Sequence, residues 1–172
     1  MSSGQVAPVG DEGEFAHALH VQIPEVSLVK VVGTTSLSLA LLAPIEAGES
    51  VTTTVVDSSC WLNYSVIKGG VTRPRSTIRA RITDGVLPDG LRLRVVAGSA
   101  TGGDGQLGVP GGAVELSSAE QNVITAIGSS YTGKGEGQGH RLLYELSLKK
   151  SGYDQLDFEQ SETLEITYTI SD

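Results

Sequence analysis

A chain of 172 residues with 20 acids against 12 lysines and arginines carries a formal net charge of −8. It lacks the clustered cationic charge that displaces counterions from a phosphate backbone, and an aromatic content of 5% offers few stacking platforms, which argues against a nucleic-acid binder. One cysteine, Cys60, excludes an intramolecular disulfide and any site built on several thiolates.

Residues 1–14 hold glycine, proline and acids without periodicity and are expected to form a flexible N-terminal arm. From Phe15 the chain alternates, with His17, Leu19, Val21 and Ile23 sharing one face. Pro24 interrupts before Val26–Val32 resumes, which predicts an edge strand or a kink there. Further strands are expected at Leu37–Leu41, Val51–Val56, Cys60–Ile67, Ile78–Ile82, Leu91–Val95, Leu142–Leu148 and Leu164–Ile170. Ser117–Ile127 is ambiguous between a helical turn and a strand. Turn signals such as Lys68-Gly69-Gly70 and Pro88-Asp89-Gly90 punctuate these runs, and Gly is 22 of 172 residues. The expectation is an all-β fold: a single antiparallel β-sandwich of roughly nine or ten strands over residues 15–172, Ig-like or pilin-like.

The chemistry-bearing residues are sparse. Cys60, next to Trp61 in an apolar strand, reads as a small core hydrophobe. His17 and His20 are three apart, so a strand puts them on opposite faces; a metal site would need His17 and His140 on neighbouring strands. The run Gly133–His140 has glycines like a phosphate loop but lacks its Lys-Ser/Thr ending and a following helix. No acid pair, triad or metal set stands out, so neither catalysis nor a cofactor is expected.

Charge is unevenly distributed. Between Cys60 and Arg94 seven cations face two acids, a local charge of +5, against −13 for the rest of the chain. Arg79 and Arg81 share one sheet face, as do Arg92 and Arg94. If their strands are neighbours, the four make a basic stripe suited to an acidic partner, a glycan polyanion or the acidic arm (Asp11, Glu12, Glu14) of a second copy. Edge protection and solubility are the plainer reading of the same charges.

Residues 18–46, the run from Trp61-Leu62-Asn63-Tyr64-Ser65 through Ile78, Pro88–Leu93, Gln121–Gly128 and Leu164–Ser171 together carry a resemblance. In order and spacing they resemble uncharacterised secreted β-sandwich proteins of Bacteroidetes-type bacteria, pilin-like or surface-fibre subunits. The resemblance implies an extracellular or cell-surface location, although Met1–Gln5 lacks the charged start and apolar core of a signal peptide. It also implies a structural subunit, and no established activity travels with it; a non-enzymatic chain is expected from the absence of an acid pair, triad or metal set. No apolar run is long enough to span a bilayer.

Two functions follow as expectations. In the first, the chain self-associates, into a fibre if the contact repeats, by adding the strand Phe15, His17, Leu19, Val21, Ile23 to a neighbour's sheet. The same strand pairing within its own chain is the competing expectation. In the second, the sandwich binds a carbohydrate or other ligand, with Tyr131 or Trp61 as stacking surface.

Overall fold

The computed structural model describes residues 13–34, 36–70 and 74–172. Among them there is no α-helix, only one 3₁₀ turn at Tyr153–Gln155. The strands are β1 (Val26–Gly33), β2 (Thr54–Ile67), β3 (Ser76–Asp84), β4 (Leu91–Thr101), β5 (Asp104–Gly105) and β6 (Val109–Pro110). They continue with β7 (Ala113–Glu115), β8 (Gln121–Ile127), β9 (Ser130–Tyr131), β10 (Gly139–Leu148) and β11 (Glu165–Ser171). One antiparallel sheet runs β5-β9-β2-β10-β4-β7, with β1 on the other side of β2; the second runs β11-β3-β8-β6.

Alternation explains how the two sheets pack. Leu62, Tyr64 and Val66 of β2, Leu93 and Val95 of β4 and Leu142 of β10 point inward from the first sheet. Ile78 and Ala80 of β3 with Val123, Ile124 and Ile127 of β8 meet them from the second. One hydroxyl pair joins the layers directly: Tyr144 of β10 and Tyr168 of β11 lie 2.6 Å apart, oxygen to oxygen. Burial raises both phenols, Tyr144 to about 12, so both stay protonated and the tie is neutral at any physiological pH.

The all-β, two-sheet expectation holds, with four of the eleven strands only two or three residues long. Val51–Val56 and Cys60–Ile67, expected separately, merge into the fourteen-residue β2. Asp57-Ser58-Ser59 looks like a break, but the Asp57 carboxylate accepts from the Ser59 N–H (2.9 Å) and hydroxyl (2.6 Å). These polar groups are satisfied locally while the pairing register with β10 shifts between Leu142 and Tyr144. Ser117–Ile127 contains no helix; its second half is β8.

Two expected strands do not form. Residues 13–25 carry no ladder, and the first strand begins at Val26. Of the expected arm, residues 1–12 lie outside the described residues. Leu37–Leu41 also has no ladder, although Leu37 and Leu39 pack on the core.

Leu62 is fully buried at the centre of β2, whereas Leu19 is 81% exposed. Leu62→Ala is expected to lower unfolding free energy by about 2–5 kcal/mol, and Leu19→Ala by less than about 0.5 kcal/mol. Urea titration of the two variants beside the parent checks this contrast.

Candidate functional site

The segment from Phe15 to Ile23 keeps its apolar pattern without a partner. Phe15, Leu19, Val21 and Ile23 are 90, 81, 75 and 72% exposed. Phe15 stacks on His17 with ring centroids 6.4 Å apart. Among the described residues, 14–24 make no backbone hydrogen bond to the sandwich. The expectation that this strand completes its own sheet is therefore not met.

The sandwich is open along one side. The edge strand β1 covers only half of β2: Val26 pairs with Ile67 and Gly33 with Cys60, and the ladder stops there. Gly33 has φ +109°, and a Cβ there would sit 2.3 Å from the Ser59 carbonyl oxygen, so the departure of the chain at this point needs glycine. Beyond it, Thr54–Ser59 has β10 on one edge and no strand on the other. On the second sheet β11 pairs only with β3.

A groove of about 1300 Å³ opens between the two sheets where β1 ends, with Val31 and Gly33 of β1 in its lining. Cys60, Leu93, Tyr144 and Leu146 line it from the first sheet, and Ile166 and Tyr168 from the second. Residues 36–41 form one wall and the loop carrying Leu156, Phe158 and Leu164 the other. Phe158 is almost fully exposed, as is Ile45 on the neighbouring loop. Nothing in the sequence of residues 149–164 marks them as a groove wall, because their pattern is irregular.

The four arginines do not form one stripe. β3 and β4 belong to different sheets, so Arg79 and Arg81 lie on one outer face and Arg92 and Arg94 on the opposite one. Only ten residues separate Arg81 from Arg92 in sequence, and the chain crosses between layers within them. Arg92 Nε approaches Glu115 Oε1 at 2.7 Å, as an ion pair rather than an aligned hydrogen bond, and Arg94 lies 3.8 Å from Glu145. Arg79 donates to the Ser171 hydroxyl at 2.7 Å. Arg73 lies outside the described residues.

Trp61 and Tyr131 both face outward from the first sheet. Trp61 alternates with buried Cys60 and Leu62 and lies under the Arg141 guanidinium, 5.3 Å from the ring centroid. Tyr131 of β9 pairs with Ser65 and is 54% exposed. Between them, Asn63 donates to the Gln138 carbonyl (2.7 Å) and accepts from the Gly135 N–H (2.6 Å). The glycine loop is thereby tied over the middle of this face, and the two aromatics do not share a continuous platform.

Cys60 is buried with its thiol donating to the Thr34 carbonyl at 3.2 Å. Desolvation pushes the thiol up, away from the reactive thiolate. His140 is fully buried and both ring nitrogens are engaged. Nδ1–H donates to the Gly98 carbonyl (2.9 Å), leaving Nε2 to accept from the Tyr64 hydroxyl (3.0 Å). Tyr64 oxygen in turn accepts from the Gly108 N–H at 2.9 Å. With both nitrogens used, His140 has none left for a metal, and no metal-ligand cluster occurs among the described residues.

Burial holds His140 below its ordinary 6.5, with the Gly98 bond opposing weakly. The unfolded chain therefore binds a proton that the folded chain refuses between those two values. The stability from keeping His140 neutral is complete above pH 6.5 and is lost as pH falls from there toward the folded value, by up to about 1.4 kcal/mol per pH unit. Denaturant midpoints should fall between pH 7.5 and 5.5. His140→Asn, which keeps a donor for Gly98, should be less stable at pH 7.5 but flat across that window. Tyr64→Phe, which orphans His140 Nε2 and the Gly108 N–H, should cost about 1–3 kcal/mol.

Compared with protein-family profiles, curated proteins and solved structures, the chain matches none.

Proposed function

We propose that this chain is a non-enzymatic structural subunit, extracellular or at the cell surface, that self-associates by strand addition through Phe15–Ile23. The observation that supports it is a nine-residue alternating segment whose apolar side chains are 72–90% exposed and whose backbone has no partner in its own sheet. An unpaired strand with one apolar face gains ladder hydrogen bonds and buried area together when it meets a free sheet edge. Such a contact joins two different surfaces of the subunit, so it propagates instead of closing, and a fibre is the natural product. With the arginines divided between two faces and partly ion-paired, apolar insertion and main-chain bonding supply the affinity.

A second reading, a carbohydrate- or ligand-binding module, rests on Tyr131, which is exposed beside Asp104 on β5. Its support is narrower, because Trp61 is capped by Arg141 and separated from Tyr131 by the pinned loop.

Light scattering across a concentration series should find oligomers that persist in about 1 M salt, where exposed charge pairs are screened. Val21→Asp combined with Ile23→Asp should abolish them while leaving the urea midpoint unchanged, since both side chains are exposed. A monomer at every concentration overturns the proposal, and glycan binding lost on Tyr131→Ala would then establish the second reading.

A further inference from the structure

Independently of how copies associate, we infer that the groove where β1 ends is a binding site for an elongated apolar cation. Its ligand carries an amine or quaternary ammonium group on a hydrocarbon body, with a hydrogen-bond acceptor at the far end.

The two walls differ in how they are held. The loop 149–164 is fixed at three points. The Lys149 N–H donates to the Gly90 carbonyl at 2.8 Å, the Asp89 N–H to the Gln160 side-chain oxygen at 3.2 Å, and the Val51 N–H to the Tyr153 hydroxyl at 3.3 Å. Residues 36–41 are anchored only beyond their ends, where Gly33 pairs with Cys60 and the Thr52 N–H donates to the Leu42 carbonyl. Among the described residues, none of 36–41 makes a backbone hydrogen bond. One wall is rigid, and the other yields without breaking a ladder, which gives a ligand a way in between the sheets.

The rim specifies the head group. Every charged residue in the lining is an acid (Asp89, Asp157 and Glu162), and Lys149 and Lys150 of the same loop are not part of it. Two exposed aromatic side chains, Tyr153 and Phe158, line the groove from the loop that carries Asp157. Aromatic faces and carboxylates both attract a protonated or quaternary amine, and the carboxylates repel an anionic head.

The interior specifies the body. Leu93 and Leu146 of the first sheet and Ile166 of the second give it apolar sides, with Tyr144 and Tyr168 between them. At a strand rise of ~3.3 Å per residue, Tyr168 lies about 13 Å from Leu164 at the acidic loop, so the ligand is long rather than round. The volume of about 1300 Å³ exceeds the roughly 300–1,000 Å³ of ordinary small-molecule sites and leaves room for that length. Tyr144, only 5% exposed, shares a single hydrogen bond with Tyr168. Two hydroxyls bring two protons, and one bond uses one of them. The other has no acceptor among the described residues, and a buried donor left open is costly. An acceptor at the inner end of the ligand relieves that cost.

The test titrates the full-length chain by calorimetry with undecyltrimethylammonium, undecanol and undecanoate, each below its micelle concentration. A fourth probe is the same cation bearing a methyl ester at the far end of its chain, and amide hydrogen exchange locates the site. The cation should bind about tenfold more tightly than undecanoate and slow exchange at 36–41 and 156–164. Ser161→Lys with Glu162→Lys, both exposed, should reverse that order with the urea midpoint unchanged. The ester should tighten the cation about two- to tenfold, and Tyr144→Phe with Tyr168→Phe should erase the gain. That comparison sets two probes against one variant, so a change in its stability does not enter. Absence of binding, or protection confined to other strands, overturns the groove as the site. Equal binding of the three head groups overturns the cation, and an ester gain that survives the double Phe variant overturns the inner acceptor. Protection of 36–41 that grows with protein concentration before any probe is added makes a second copy the occupant and overturns the ligand.

Discussion

The unequal pairing of β2 is the constraint on which the rest of the molecule depends. Fourteen residues long, it carries β10 and β9 along one edge and only the eight residues of β1 along the other. Both sheets form their core against it, yet almost half of one edge offers backbone groups with no strand to receive them. A backbone amide or carbonyl removed from water without a partner is costly. That edge must therefore remain wet, be satisfied by side chains, as Asp57 and Arg141 do for the Ser59 N–H and the Ser58 carbonyl, or be covered by a further strand. Gly33 sets where the pairing stops, because the chain turns away with a backbone conformation that ordinary side chains resist and with Ser59 too close for a Cβ.

The buried polar groups at the other end of the sandwich contrast with this. Tyr64, His140, Gly98 and Gly108 form a connected set in which each donor has an acceptor. Asn63 ties down the loop around Gly135 and Gln138 in the same way. The backbone at Gly108 and the loop Gly133–His140 are thus held to the core by hydrogen bonds, and glycine lets them approach closely. At Gly108 a Cβ would fall 2.4 Å from Ile124 Cγ2. The end bearing these loops is tied by side-chain hydrogen bonds, and the half of β2 without a second neighbouring strand lies at the end where β1 stops.

Charge has a smaller part than the sequence suggests. A +5 window invites a docking face, but a β-sandwich alternates layers, and arginines close in sequence become residents of opposite surfaces. Two of the four sit beside glutamates on adjacent strands. Exposed pairs of this kind contribute about 0–1 kcal/mol and are screened by salt. Their effect is to keep the outer faces of both sheets polar.

Much of the fold was legible in the sequence, since period-two alternation reports which face of a strand meets a core. Leu62, Ile78, Val95 and Leu142 are buried because their alternation requires it, and the all-β class follows from such runs between glycine turns. Alternation is silent on whether a segment finds a partner. Phe15–Ile23 and Leu37–Leu41 alternate as cleanly as β11, yet neither has a ladder, because ladder formation depends on which edges are left free after the other strands have paired. The groove, the division of the arginines and the Tyr64–His140 network likewise join residues far apart in the chain, 76 positions for Tyr64 and His140, beyond any local pattern. The sequence determined what each strand would bury; the tertiary structure decided which edge would be left open, since an edge exists only once its neighbours are in place.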